Sequence, residues 1–223
     1  VIDSTCTPTC PDVKIAKVHD AIQGMNACVP ITMSNHSFVM GGFDLLIWYD
    51  NSALTLGAVA AGELLGDCRW EYFTYRLGPF GNCGTGCPAG LVRVAAIAET
   101  NNGANHPLCY GPTDDATYEL AKLCFLVTND RTLECQYVPI RFYWIDCGDN
   151  LFSSKGGDTS FVSDDVFDYD NPSSISDPLA GFPTYYGVQF DCLAGGGTPD
   201  KPAPVRCIDF YNGGIDIICA DSI

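Results

Sequence analysis

Alternation of apolar and polar residues is the dominant pattern along this chain. Short runs rich in β-branched and aromatic side chains alternate with a period of two and end at Gly, Pro, Asn or Asp. This periodicity is typical of β-strands that bury one face. The predicted strands are 13–18, 28–33, 38–49, 70–77, 91–98, 118–127, 137–145, 185–192, 205–211 and 215–220.

Helical periodicity is weak throughout. The best helical candidate is the stretch 58–65, and Gly62 interrupts it. Many short strands joined by turns pack most readily as two facing sheets. The pattern therefore predicts an all-β protein, a two-sheet sandwich of jelly-roll or immunoglobulin-like type.

Interruptions in the strand pattern suggest how the chain is divided. A Gly/Pro-rich stretch at 194–204 predicts a linker, and Asn212-Gly213-Gly214 predicts the turn of a C-terminal hairpin at 205–223. Residues 1–18 are interpreted as a strand-like extension that precedes a sandwich at 19–193. Within that sandwich, the Asp-rich stretch 153–182 is interpreted as an acidic surface excursion.

Thirteen cysteines are far more than a reduced cytosolic protein of this size carries. The Cys-x3-Cys spacings lie in turn-like sequence without a nearby His, which disfavours zinc. Disulfides in an oxidising compartment are expected, with one cysteine unpaired or intermolecular because thirteen is odd. The cysteines are Cys6, Cys10, Cys28, Cys68, Cys83, Cys87, Cys109, Cys124, Cys135, Cys147, Cys192, Cys207 and Cys219.

Charge and hydropathy restrict the classes of partner. The net charge of −16 repels phosphate backbones, so no nucleic-acid partner is expected. No apolar run has the length of a membrane span. The chain opens without a leader, so a signal peptide is expected to have been removed from a secreted or cell-surface protein.

Catalytic motifs are absent from the sequence: there is no Gly-x-Ser-x-Gly, no His-Glu-x-x-His and no phosphate-binding loop. Glu71 and Glu99 are the carboxylates on predicted strands next to aromatic residues, as a glycosidase pair would require. The simpler interpretation, which is preferred for each, is an outward-facing strand residue. No catalytic residue is assigned, and the chain is predicted not to be an enzyme.

Oxygen-rich clusters raise the question of calcium. Asp168 with Asp170, and Asp146 with Asp149, place carboxylates at near-alternate positions, although turn chemistry also accounts for them. No other cofactor is expected. Asn35 begins the sequon Asn-His-Ser in a predicted exposed turn, where glycosylation and a chance occurrence are both open.

Several segments carry a resemblance to a known family. The segments VPITM (29–33), GGFDL (41–45) and YD (49–50) resemble the opening of a cohesin-like module, and LAKL (120–123), FLV (125–127) and VPI (138–140) resemble its later strands. The likeness covers residues 12–153. It implies a jelly-roll sandwich of secreted bacterial proteins that binds dockerin segments without catalysis.

A narrower likeness points to large secreted proteins of environmental bacteria. The segments WEYFTYRL (70–77), DCGDN (146–150) and NGGIDIICADSI (212–223) resemble stretches of such proteins, in which a dockerin-like segment often follows the last motif. This likeness implies a bacterial cell-surface location.

Three functions are consistent with these observations. The leading hypothesis is a subunit of a surface filament, built from copies of itself by strand addition through a terminal segment. The alternating side chains expected to make that contact are Val13 and Ile15, or Ile215 and Ile217. The alternative hypothesis is a cohesin-type receptor for a dockerin or a glycan, and the third is a hydrolase. Folding of both terminal segments onto their own sandwich is equally consistent with the pattern.

Overall fold

The computed structural model describes residues 10–34, 38–77, 90–101, 106–112, 116–144, 148–168, 171–175 and 203–219. The regular secondary structure of these residues is almost entirely strand, which confirms the predicted all-β class. No helix in this part of the chain is both long enough and apolar enough to cross a membrane. The strands are β1 (Asp12–Ile15), β2 (Lys17–Ala21), β3 (Asn26–Ser34), β4 (Met40–Tyr49), β5 (Leu54–Ala61), β6 (Tyr72–Leu77), β7 (Leu91–Ile97), β8 (Tyr118–Val127), β9 (Tyr137–Phe142), β10 (Leu151–Ser154), β11 (Ser160–Asp168), β12 (Asn171–Ile175) and β13 (Val205–Ile217), with helix α1 at Glu63–Cys68 and a 3-10 helix at Arg131–Leu133.

The strands form a sandwich of two layers. One layer has the order β5-β8-β3-β1-β13, and the other has the order β6-β7-β4-β10. β11 pairs with both β10 and β13, and β9 pairs with both β4 and β13, so the layers are joined along one side. The core between them is closely packed and largely aliphatic and aromatic.

Period-two alternation accounts for the burial along the strands. In β3, Val29, Ile31 and Met33 are fully buried, while the residues between them are more exposed. β8 repeats the pattern with Leu123, Phe125 and Val127. Successive side chains point to opposite faces of a strand, so this sequence pattern sets which face is buried.

The predicted C-terminal hairpin is wrong, because β13 runs without a turn from Val205 to Ile217. Its first part pairs in parallel with β11 and β1, and its second part pairs with β9 and β2. A Cβ atom on Gly213 would lie 2.1 Å from the carbonyl oxygen of Ile15, and one on Gly214 would lie 2.4 Å from that of Val138. The two glycines therefore permit close approach of backbones where β13 changes neighbours.

The described parts of both predicted terminal segments, 10–18 and 205–219, belong to the sandwich and are not extensions of it. β1 pairs antiparallel with β3 on one side and parallel with β13 on the other. Val13, Ile15, Ile215 and Ile217 are all buried, with exposed fractions of 3% or less. Residues 194–202 of the predicted linker lie outside the described part of the chain.

Two further segments differ from their predictions. The stretch 58–65 is not one helix: its first part belongs to β5, and α1 begins after Gly62, where a Cβ atom would lie 2.0 Å from the carbonyl oxygen of Glu119. The predicted acidic excursion contains β11, whose Val162 and Val166 are buried. β11 forms a strand despite its polar sequence because it pairs with β10 and β13. The predicted strand 185–192 lies outside the described residues.

Four disulfides confirm the disulfide-rich prediction for the cysteines that the structure describes. They join Cys10 to Cys207, Cys28 to Cys124, Cys68 to Cys109, and Cys135 to Cys219. Cys10–Cys207 links the starts of β1 and β13, and Cys28–Cys124 joins two residues that are opposite each other in β3 and β8. The remaining cysteines, Cys6, Cys83, Cys87, Cys147 and Cys192, lie outside the described residues.

Candidate binding surface

The outer face of the β6-β7-β4-β10 layer presents a partly exposed surface, here called the platform. Strand register places its side chains in rows across the sheet. The first row runs across β6, β7, β4 and β10 and consists of Tyr72, Ile97, Gly42 and Ser153. The second row crosses the same strands in the same order and consists of Thr74, Ala95, Asp44 and Leu151. The platform consists of these eight residues.

Small and exposed residues give the platform its shape. Gly42 has no side chain to raise the surface, and a Cβ atom there would lie 2.7 Å from the carbonyl oxygen of Ala96. Tyr72 and Ile97 are 42% and 43% exposed, although both are large and apolar. A patch that combines exposed apolar groups with hydroxyl and carboxylate groups is suited to contact with another protein.

One end of the platform is held by a buried ion-pair network. Arg93 donates to Asp44 at 2.7 Å and also to Asp149, which is only 2% exposed. Burial lowers the pKa of Arg93, but the two carboxylates raise it, and the net direction is upward. Asn150, fully buried, accepts a hydrogen bond from the Leu46 N–H and donates one to the Tyr143 carbonyl. This network fixes Asp149 and Asn150 beside β4 and β7, at one end of the platform.

Glu71 and Glu99 lie at the opposite end of the platform, where they form an acidic rim. Glu71 precedes Tyr72 in the chain, and its Oε2 accepts hydrogen bonds from the backbone N–H and the hydroxyl of Thr100, both at 2.7 Å. These bonds to Thr100 lower the pKa of Glu71. Glu71 is therefore anionic at neutral pH.

Glu99 anchors a neighbouring loop to the end of β7. Its carboxylate accepts a hydrogen bond from the Tyr110 hydroxyl at 2.6 Å and contacts Nδ1 of His106 at 2.6 Å. Lys155 lies over the Tyr110 ring, 4.1 Å from its centroid. The Tyr110 hydrogen bond, followed by the contact with His106, lowers the pKa of Glu99. The pKa values of Glu71 and Glu99 are both lowered, whereas the general acid of a glycosidase has a raised one.

The loop that carries Tyr110 is itself fixed to the sandwich. The Cys68–Cys109 disulfide joins it to the end of α1, and the Trp70 indole Nε1–H donates to the carbonyl oxygen of Cys109 at 3.1 Å. Trp70 also packs against Phe43 in the core. The acidic rim is thus a built feature of the fold and not a chance meeting of two surface loops.

Comparison with known proteins identifies the fold through solved structures. No protein-family model matches the chain, and no curated protein matches it. The sixth cohesin of scaffoldin B from Acetivibrio cellulolyticus, in complex with a mutant Cel5 dockerin, matches at a TM-score of 0.53 and 12% identity, covering 94% of this chain and 99% of that one. The fold is that of a cohesin module.

Two further cohesins show the same likeness. A non-cellulosomal cohesin from Archaeoglobus fulgidus matches at a TM-score of 0.50 and 13% identity, covering 96% of this chain and 94% of that one. A type I cohesin–dockerin complex from Clostridium thermocellum matches at a TM-score of 0.52 and 14% identity, covering 93% of each chain. At these identities the likeness is one of fold, and it confirms the cohesin-like fold implied by the sequence segments at 12–153.

The predicted calcium positions are resolved only in part. Asp149 forms an ion pair with Arg93, and calcium binding by Asp146 and Asp149 stays a prediction. Asp146, Asp170 and the side chain of Asp168 lie outside the described residues. Calcium binding by Asp168 and Asp170 stays a prediction. The sequon at Asn35 also lies outside the described part of the chain, so its glycosylation stays a prediction too.

A different carboxylate cluster was missed at the level of sequence. Single side-chain oxygens of Asp164, Asp165 and Asp209 lie within 4.8 Å of one another. Asp209 is 44 residues from Asp165, and only the parallel pairing of β11 with β13 brings them together. The adjacency of Asp164 and Asp165 was the one local signal. Exposed acidic groups often cluster in this way without holding a metal.

The strands that the filament hypothesis requires as donors are part of the protein's own sandwich. Val13 and Ile15 on β1, and Ile215 and Ile217 on β13, fill the protein's own core. β1 already has neighbours on both sides, and so does the central part of β13. A strand held in this way cannot be donated to another subunit without opening the sandwich.

Proposed function

We propose that this chain is a non-catalytic binding module that holds a dockerin-like protein partner on the platform. The observation that carries the proposal is an open, partly apolar face on a sandwich with the cohesin fold. The solved cohesins from Acetivibrio cellulolyticus and Clostridium thermocellum are bound to dockerins, which supports a partner of the same kind here.

The chemistry of the platform supports a protein partner. Tyr72 and Ile97 offer apolar area, Thr74 and Ser153 offer hydroxyl groups, and Asp44 lies beside them at the edge of the ion-pair network. Protein interfaces combine an apolar centre with a polar rim in this way. Glu71 and Glu99 lie beside the partner in this arrangement and contribute charge to the rim.

An extracellular location is part of the proposal. Four disulfides require an oxidising compartment for their formation and persistence. The excess of carboxylates keeps such a module soluble and disfavours non-specific binding to nucleic acid. A cell-surface or secreted scaffold of a bacterium fits both properties.

Calorimetry against a panel of dockerins tests the proposal, with Ile97→Asp as the test variant. The added carboxylate at the centre of the platform should weaken binding at least about tenfold. Leu126→Asp is the matched control, because Leu126 is 44% exposed on a strand of the opposite layer. The control should bind as the wild type does.

Two outcomes would refute the assignment. Equal loss of affinity in both variants would mean that the partner does not use the platform. Absence of binding to every dockerin, together with binding to a glycan array, would replace the protein partner with a carbohydrate. Far-UV circular dichroism of each variant ensures that a loss of binding is not a loss of fold.

A further inference from the structure

Strand β5 is an edge strand whose free side differs from the other edges of the sandwich. Among the described strands it pairs only with β8. Thr55, Gly57, Ala58 and Ala60 are all exposed along it. Its outer backbone groups are therefore unpaired with any described strand, and unpaired edges are templates for addition of another strand.

Among the described strands, the other edges are β2, β6 and β12, and each carries a feature that discourages strand addition, whereas β5 does not. β2 contains the exposed Asp20. β12 contains Pro172, which lacks a backbone donor, and β6 contains the exposed Arg76. The stretch 52–62 holds no charged residue and no proline. Natural edge strands usually have at least one such feature, so its absence over a whole strand is informative.

The side-chain pattern of β5 is complementary to itself. A bulge between Leu56 and Ala58 places Leu54, Leu56 and Val59 toward the core, whereas Thr55, Ala58 and Ala60 face outward. In an antiparallel pair with a two-fold axis at the bulge, Leu56 would face Val59, Thr55 would face Ala60, and Gly57 would face Ala58. Inward residues meet inward residues and outward residues meet outward ones, as a two-fold contact requires.

Charge restricts where two copies of this chain can touch. Each carries a net charge of −16, so most pairs of surfaces repel one another. The uncharged stretch 52–62 lies on a strand with small side chains, where two backbones can approach closely. The occupant that fits this neutral edge is therefore a second copy of the same edge.

We propose that β5 pairs antiparallel with β5 of a second copy, which makes one continuous sheet across a two-fold dimer. This contact is closed and cannot propagate, in contrast to a filament. β5 lies in the layer opposite the platform, so both platforms stay open in the dimer. The dimer would present two binding surfaces and so allow bivalent attachment, independently of which partner the platform takes.

Sedimentation velocity over a range of concentrations tests the dimer. A strand-pair contact is smaller than a standard interface, so the dimer should be weak and become visible at about 0.1–1 mM. Added salt should strengthen it by screening the repulsion between two acidic copies. Hydrogen exchange at high concentration should show new protection confined to residues 54–61.

The variant Ala58→Lys places two ammonium groups together at the two-fold axis. It should abolish the dimer even though it makes each copy less negative. Gln136→Lys adds the same charge at an exposed site outside β5 and should leave the dimer intact or slightly stronger. Equal melting temperatures would show that both variants are folded. A monomer at all concentrations, a dimer that survives Ala58→Lys, or protection elsewhere than β5 would overturn the proposal.

Discussion

Three residues, Asn212, Gly213 and Gly214, lie where β13 stops pairing with β11 and β1 and begins to pair with β9 and β2. Asn212 is buried there, and its side-chain oxygen accepts a hydrogen bond from the Phe142 N–H at 2.9 Å. Gly213 and Gly214 follow, with the backbones of β1 and β9 close on either side. A buried N–H without a partner costs free energy. Asn212 therefore provides an acceptor for the Phe142 N–H, while the two glycines leave room for the neighbouring backbones.

The variant Gly213→Ala should destabilise the fold. Its Cβ atom would lie 2.1 Å from the carbonyl oxygen of Ile15, a backbone atom that cannot rotate away. We expect the free energy of unfolding to fall by about 1–3 kcal/mol, as for other overpacked sites. Denaturant unfolding under non-reducing conditions measures it.

Gly66→Ala is the matched control for that substitution. Gly66 lies inside α1, and a Cβ atom there would meet nothing within 4 Å. Since alanine favours helix over glycine, the free energy of unfolding should stay the same or rise by up to about 1 kcal/mol. Equal destabilisation by both variants would contradict the role assigned to Gly213.

At the scale of elements, the parallel pairing of β11 with β13 brings carboxylates together. Asp209 lies opposite Asp12 on β1 and beside Asp164 and Asp165 at a bulge of β11. Burial raises the pKa of Asp209, and the neighbouring carboxylates raise it further, although a hydrogen bond from the Asp165 N–H opposes them. The strand pairing therefore tolerates an unfavourable charge at neutral pH.

Asp209→Asn should stabilise the fold at neutral pH but not in acid. Because the pKa of Asp209 is higher in the folded than in the unfolded chain, its stabilising contribution is complete below the unfolded value of 3.8 and is lost as the pH rises through the folded value. The melting temperature of the variant should exceed that of the wild type at pH 7, and the gain should vanish near pH 3. A gain that is equal at both pH values would contradict the charge explanation.

For the whole molecule, the first and last described strands, β1 and β13, complete the sandwich. β1 lies between β3 and β13, and the Cys10–Cys207 disulfide joins the starts of β1 and β13. Val13 and Ile15 on β1 and Phe210 on the adjacent β13 are fully buried. Neither β1 nor β13 is an appendage, and we expect the stability of the core to depend on both strands.

Deletion of residues 1–18 should therefore unfold the protein and not merely release soluble subunits. The truncation removes two fully buried side chains and leaves one edge of β3 and one edge of β13 without a partner. Loss of near-ultraviolet circular dichroism and of a cooperative melting transition would show this. The double variant Cys10→Ser with Cys207→Ser separates the disulfide from the strand and should stay folded with a lower melting temperature. A truncated chain that melts cooperatively would contradict the assignment.

Residues near one another in sequence were predicted better than residues brought together from afar. The strand periodicity at 28–33 and 118–127 matches β3 and β8 closely, since alternation is a local property of each strand. The acidic composition of 153–182 concealed β11, because its pairing with β10 and β13 is not visible locally. Glu71 and Glu99 were singled out from local context, but their hydrogen bonds to Thr100 and Tyr110 depend on loops elsewhere in the chain.

The sequence by itself determined the all-β class, the buried face of most strands and the disulfide-rich character. Each of these follows from residue type and spacing within a short stretch of chain. Tertiary structure alone decided the path of β13, the meeting of the carboxylates around Asp209 and the joining of Tyr72, Ile97 and Gly42 into one platform. The same Asn-Gly-Gly triplet favours a tight turn when it stands alone and allows close backbone contact when a strand crosses between neighbours. Which of these forms depends on the strands that pack against it, and those come from distant parts of the chain.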